Sequence, residues 1–268
     1  MRPLRFAVVG DPIAHSKSPI MHAAAYRALG LPHTYEAARV TAEDLPAVVQ
    51  ALREGAYDGL NVTVPHKASA LALADDASPD AKAIGAANAL ARVDGRVVAY
   101  NTDAPALALE IAALAGARDL SGRRALVLGS GGAARAALAA LRGHLGIDDV
   151  VLRARTQRDL GAGPLLPSPE SEATTAVIVQ ATSAGMRGAD PGDPIAAAVA
   201  WDALPDDAVV IDAVYAPPET PLLRAARARG LRAINGLGML ARQGALAFEI
   251  WTSLRAPLDV MLAALGAP

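Results

Sequence analysis

Short apolar runs alternate along this chain with alanine-rich stretches whose larger apolar residues recur at helical spacing. The runs at 5–9, 34–38 and 58–64 read as strands, those at 19–29, 43–54 and 66–74 as helices, and 87–100 as a short pair of strands. The stretch APALALEIAALAG (104–116) is predicted to be a helix, and a Gly/Arg-rich joint, GARDLSGRR, runs from its end. Beyond the joint the pattern restarts, with strands at 125–128, 150–153, 177–180, 208–212 and 231–234 and helices at 133–142 and 220–229. The last stretch, 237–265, is helical and apolar enough that it must pack on something, and the first unit is the expected partner. Alternation of this kind predicts an α/β protein with crossover connections. Two units are expected: 1–103 completed by 237–268, and 104–236 including the linker helix 104–116. No internal repeat is present, and the only low-complexity run is the Gly/Pro/Ser-rich 161–171.

Composition narrows the chemistry. At 268 residues a single core stops growing, which supports the two-unit reading. A net charge of -2 without long runs leaves no basic field for a nucleic acid backbone. The absence of cysteine excludes disulfides, thiolate zinc sites and cysteine nucleophiles. The five histidines show no metal spacing, His15 and His22 being seven apart with no second ligand type, so no metal is expected. The start MRPLRFAVVG lacks a signal-peptide core, no run approaches the roughly 20 apolar residues of a membrane span, and a cytoplasmic protein is the expectation. The triplet Asn61-Val62-Thr63 then reads as a chance glycosylation match.

The clearest motif is RALVLGSGGAARAAL (124–138), an apolar strand ending in a G-x-G-x-x-A pattern that opens a helix. Gly129 allows the tight turn, Gly131 lets the backbone approach a pyrophosphate, and Ala134 lets helix and strand pack closely. Free N–H groups at the helix start face the phosphates. The next strand, VVLRART, carries no acid at its end where an NAD site would place one. It carries Arg153 and Arg155, with Thr156 and Arg158 following, a group suited to the 2′-phosphate of NADP.

In the first unit, Ser18-Pro19 reads as an N-cap followed by proline in the first helical turn, which leaves the Ser16 hydroxyl free. Asp103, ahead of Pro105, reads locally as a helix cap or as a carboxylate kept for chemistry, with the cap preferred. Asn88 reads equally as a turn residue or a ligand contact. Of 25 basic residues only Lys17, Lys67 and Lys82 are lysine, and two of these fall in HSKSP (15–19) and NVTVPHK (61–67). Lysine gives up a proton where arginine practically cannot.

Taken in order, HSKSP, NVTVPHK, GAANAL (85–90), YNTDA (100–104), GSGGAARA (129–136), ATSAGM (181–186), DAVYAPPETPLL (212–223) and NGLGMLARQGALAFEIW (235–251) resemble the motifs of the shikimate dehydrogenase family. The resemblance spans nearly the whole chain. It implies an α/β substrate domain, completed by the C-terminal helices, facing a Rossmann-type NADP domain across a cleft. The implied reaction is reversible reduction of 3-dehydroshikimate to shikimate, on the route to chorismate and the aromatic amino acids, by a monomer or homodimer. Carried over residue by residue, Ser16 and Ser18 would hold the substrate carboxylate. Thr63, Asn88, Asp103 and Gln243 would bind ring hydroxyls and carbonyl, with Tyr215 nearby, and Lys67 paired with Asp103 would be the acid/base. Gly129, Gly131, Gly132, Ala133 and Arg135 would line the diphosphate, Arg155 and Thr156 the 2′-phosphate, and Thr182, Ser183, Gly236 and Met239 the nicotinamide half.

The chain departs from the family pattern at a few places. Ala154 stands before Arg155-Thr156 where Asn is usual, Gln180 replaces Asn before Ala-Thr, and Ala104 replaces Gly after Asp103. The segment 157–176 is short and rich in Gly and Pro, which predicts that a helix and strand common there are missing. Two rival readings follow: a relative acting on quinate or an amino-substituted analogue, and a ligand-binding relative with an eroded cofactor wall.

Overall fold

The computed structural model describes residues 2–155 and 162–267. The chain divides into two compact units, Met1–Ala106 with Leu240–Pro268, and Leu107–Met239. In chain order the first unit carries β1 (Arg5–Gly10), α1 (Ser18–Ala28), β2 (Thr34–Arg39), α2 (Leu45–Glu54), β3 (Gly59–Val62), α3 (Lys67–Leu73), β4 (Asp76–Ala77), α4 (Pro79–Ile84), β5 (Ala89–Val93), β6 (Arg96–Tyr100) and the start of α5 (Asp103–Ala115). The second carries β7 (Arg124–Leu128), α6 (Gly132–Leu138) continuing as a π-helix (Ala139–His144), β8 (Val150–Arg153), α7 (Pro169–Glu172), β9 (Thr175–Gln180), α8 (Asp193–Ala197), β10 (Val209–Asp212), α9 (Pro221–Ala228) and β11 (Arg232–Asn235). Helix α10 (Leu237–Thr252) leads back to the first unit, which α11 (Leu258–Leu265) completes.

The first sheet is mixed, in the order β2-β1-β3-β5-β6-β4, with β1 parallel to β2 and β3, and β5 antiparallel to β3 and β6. Every β3 residue is buried, as a central strand covered on both faces requires. Leu60, Val9, Val49, Leu52, Leu90 and Val97 form the heart of this core. The C-terminal segment enters the same unit through Trp251, which stacks on Phe6 at 4.8 Å and donates its Nε1 hydrogen to the Leu90 carbonyl at 2.9 Å. Gly59 makes room for it, because a Cβ there would lie 2.3 Å from Trp251 Nε1.

The second sheet is wholly parallel, in the order β11-β10-β9-β7-β8. The strand order reverses at β7, which places the loops after β7 and β9 side by side at the carboxyl ends of their strands. That is where a doubly wound sheet binds its ligand. Beyond β8, among the described residues, pairing shrinks to a single bridge between Arg153 and Gly163, followed by the one-turn α7.

The helical stretch expected over 237–265 forms two helices, α10 and α11. Ser253 adopts a left-handed φ of 56°, Thr252 Oγ1 accepts from Leu254 N, and Glu249 Oε1 accepts from Ala256 N ahead of Pro257. These side chains satisfy backbone donors that a continuous helix would have satisfied itself. Likewise α6 changes to a π-helix at Ala139, which apolar periodicity cannot distinguish from ordinary helix.

Candidate active site

Strand β3 ends at Val62, and the backbone then turns sharply: Thr63 N donates to Val9 O at 2.9 Å and His66 N to Thr63 O at 2.9 Å. The turn sets Lys67 at the first position of α3, anchored by the buried His66, whose Nε2 meets Val40 O at 2.6 Å. Gly10 has no side chain for the same reason, since a Cβ there would lie 2.4 Å from Thr63 Cγ2.

Lys67 Nζ donates to Asp103 Oδ2 at 2.7 Å. The other carboxylate oxygen of Asp103 accepts from Asn88 Nδ2 at 2.8 Å. Asn88 is itself pinned: its Oδ1 accepts from Thr102 N at 2.7 Å, which forces its amide hydrogens toward Asp103, Thr102 Oγ1 and Gln243 Oε1. Gln243 arrives on α10 and donates to Leu240 O at 2.9 Å. Lys67 and Asp103 retain 30% and 13% side-chain exposure, whereas Asn88 and Thr102 are buried, so the pair faces outward from a rigid polar base.

Two of the local cap assignments are corrected. Asp103 does not cap α5: Asn101 Oδ1 accepts from Asp103 N at 3.1 Å and Ala104 N at 3.3 Å, which frees the Asp103 carboxylate for Lys67. Asn two residues before the helix is a standard capping arrangement and was the available signal. Nor does Ser18 cap α1: Ser16 Oγ accepts from Ser18 N at 3.3 Å, while Ser18 is the first residue of α1 and is buried. The Ser16 hydroxyl, read as free, therefore already has a partner, and it remains half-buried. Thr63 is also half-buried, beside Lys67 in the chain turn.

The second unit carries Tyr215 and the remaining residues named from the sequence. Gly129 has φ +133°, and a Cβ there would stand 2.9 Å from Ala181 O and 3.0 Å from Thr182 Cγ2, so the turn after β7 packs directly on the loop after β9. Gly131 and Gly132 are exposed, with no protein atom within 4 Å of a built Cβ, and exposed Ala133 and Arg135 follow on α6. An open glycine cradle at the switch point of a parallel sheet fits a dinucleotide pyrophosphate. Thr182 N donates to Gln180 Oε1, Gln180 Nε2 donates to Ala184 O at 3.0 Å, and Thr182 Oγ1 accepts from Ala184 N at 3.1 Å, so buried Gln180 shapes the loop bearing Thr182 and Ser183. Gly236 abuts Ala213 O at 2.3 Å from a built Cβ, and Met239 lies half-buried on α10. Tyr215 is half-buried in the loop after β10, and burial raises its phenol. That loop is anchored by Asp212, whose Oδ2 accepts from Thr220 Oγ1 at 2.6 Å; burial pushes Asp212 up to about 6, against the pull of Thr220 and Val214 N.

The arginine cluster is only partly as expected. Arg153 is turned inward, its guanidinium bidentate to buried Glu172 at 2.7 and 2.9 Å and bonded to Ala198 O, so it cannot serve a 2′-phosphate. Strand β8 ends at Arg153, so Arg155, two residues on, is no longer held to the strand face that turns Arg153 inward. Arg155 is exposed and pairs with Asp190 at 2.5 Å. Thr156 and Arg158 lie outside the described residues.

Comparison with known proteins accords with this arrangement. The family model for the shikimate dehydrogenase substrate-binding domain matches residues 8–90, and that for the shikimate 5′-dehydrogenase C-terminal domain matches 236–265. A shikimate dehydrogenase (NADP(+)) of Thermus thermophilus is 45% identical over 255 residues, covering 94% of this chain and 93% of its own. The crystal structure of a Thermus thermophilus shikimate 5-dehydrogenase in complex with NADP(H) and shikimate superposes with a TM-score of 0.84 at 41% identity, covering 98% of each chain. A 5-ketofructose reductase from a Gluconobacter species shares the fold at 27% identity, with a TM-score of 0.85, covering 99% of each chain.

Proposed function

The chain belongs to the shikimate dehydrogenase family, and on that premise we propose that it reduces 3-dehydroshikimate reversibly to shikimate with NADPH, using Lys67 as acid/base and Asp103 as its partner. The observation that carries the assignment of roles is the 2.7 Å contact between Lys67 and Asp103 on the Asn88 base. Bound at the glycine cradle of Gly129, Gly131 and Gly132, with Ala133 and Arg135 beside it, NADPH supplies the hydride that adds to the carbonyl carbon. Lys67 stabilises the charge that builds on the carbonyl oxygen and then protonates it. Asp103 holds the ammonium in place and accepts from the adjacent ring hydroxyl. Asn88, Thr63 and Gln243 orient the ring, and Ser16 and Ser18 hold the carboxylate. Arg155 meets the 2′-phosphate, for which it must exchange Asp190. Thr182, Ser183, Gly236 and Met239 border the nicotinamide, with Tyr215 close to the substrate. The reading carries with it a cytoplasmic enzyme acting as a monomer or homodimer.

Steady-state oxidation of shikimate and quinate, each with NADP and NAD, tests the assignment. Shikimate with NADP should give the highest kcat/KM. Higher values with quinate would move the substrate to that relative, and absence of turnover with every pair would leave a binding protein. Lys67→Ala should lower kcat by about 100-fold or more with little change in the KM for shikimate, as expected for removal of an acid/base group.

A further inference from the structure

The polar base of the site continues away from Asp103 to a residue that no catalytic role yet explains. Asn61, buried on β3, donates from Nδ2 to the Asn88 carbonyl at 3.1 Å. Its Oδ1 accepts from the Tyr35 hydroxyl at 2.7 Å. The Tyr35 ring lies flat against His22, with centroids 4.1 Å apart and planes 7° apart, and His22 is fully buried. Hydrogen bonds therefore lead from Tyr35 through Asn61 to the Asn88 main chain, and from the Asn88 side chain to Asp103 and Lys67.

We infer that Tyr35 is a positioning residue for the acid/base end of the substrate site, acting through Asn61 and Asn88. The inference rests on the roles proposed above for Lys67 and Asp103. The phenol sets the orientation of the Asn61 amide, because only an oxygen facing Tyr35 can accept its proton. That orientation turns the Asn61 NH2 toward the Asn88 carbonyl. The Asn88 main chain is then held from both sides, since its carbonyl also accepts from Val62 N at 2.8 Å. With the main chain fixed, the Asn88 side chain presents its donors to Asp103. The groups that meet the ring and Asp103 are therefore preset in one geometry before the substrate arrives.

Tyr35→Phe keeps the ring and its stack on His22 while removing the hydroxyl. In the full chain it is expected to lower kcat for shikimate oxidation about tenfold and raise the KM for shikimate, with NADP affinity, measured by fluorescence titration, unchanged. Asn61→Ala, which leaves the Tyr35 hydroxyl and its stack in place and cuts the relay one step later, should lower kcat by a similar factor. It supplies the same test if Tyr35→Phe does not fold. Folded variants with kcat within twofold of the parent, losing only thermal stability, would overturn the inference. Lys67→Ala measured alongside separates the two readings: if it retains turnover the acid/base assignment fails, and if it alone collapses only the role of Tyr35 does.

Discussion

A lysine kept in a chain of 22 arginines is both cationic and able to part with a proton, as the acid/base role proposed for Lys67 requires. Its neighbour Asp103 reaches Lys67 only because Asn101 has taken over the capping of α5. Asp103→Asn keeps the shape of the side chain but removes the charge that holds the ammonium, and should lower kcat by 10-fold or more in steady-state assays. The glycines of the second unit divide by the same kind of reasoning. Gly131 has an ordinary φ of -91° and open space around it, so Gly131→Ala should leave thermal stability within about 0.5 kcal/mol of the parent while weakening NADP binding by 10-fold or more in a titration. Gly129→Ala meets Ala181 O and an unfavourable φ at once, and should lower Tm as well as NADP affinity. A Gly131→Ala chain that binds NADP normally would remove the pyrophosphate from this loop.

At the scale of elements, chemistry is placed by how strands and helices end. Helix α5 begins at Asp103, so the cap that stabilises the helix also aims the carboxylate. Asn101→Ala should cost about 1 kcal/mol of stability in denaturant unfolding and lower kcat as well, because the first turn carries Asp103. Much of this was legible beforehand: period-two and helical patterns located the strands other than the two-residue β4, and most helices, within a few residues, and the G-x-G-x-x-A run marked the turn after β7. The caps were misread because a Ser or Asp next to a helix start satisfies the same local rule as its neighbour, and only backbone direction decides which accepts the hydrogen bond. Arg153 was misread for a related reason. Its burial depends on Glu172, nineteen residues on, and on α7, which has too few residues to announce itself by periodicity.

Across the whole molecule, aromatic residues are scarce, yet Phe6, Tyr26, Tyr35, Phe248 and Trp251 gather with His22 and His33 in the first unit. Burial pushes His22 down to about 3, and neither ring nitrogen has a partner. The unfolded chain binds a proton there below about 6.5 while the folded one does not, so stability present above 6.5 is lost as pH falls from there to about 3. Asp212 acts in the opposite sense: held up at about 6, it favours the folded state at low pH and loses that contribution as pH rises from about 4 through 6. His22→Phe, compared with the parent by urea unfolding at pH 7 and pH 4.5, should therefore gain stability at the acid pH, by up to roughly 3 kcal/mol. An identical pH dependence in both chains would show that His22 titrates normally. The alternation of apolar runs and helical stretches, the glycine pattern and the ordered motifs are local properties, and the sequence alone determined from them the α/β class, the family and the candidate chemistry. The inward turn of Arg153 onto Glu172 and the path from Tyr35 through Asn61 to Asn88 join residues far apart in the chain. Tertiary structure alone decided these, because a hydrogen bond depends on distance and direction in space, which sequence separation does not specify.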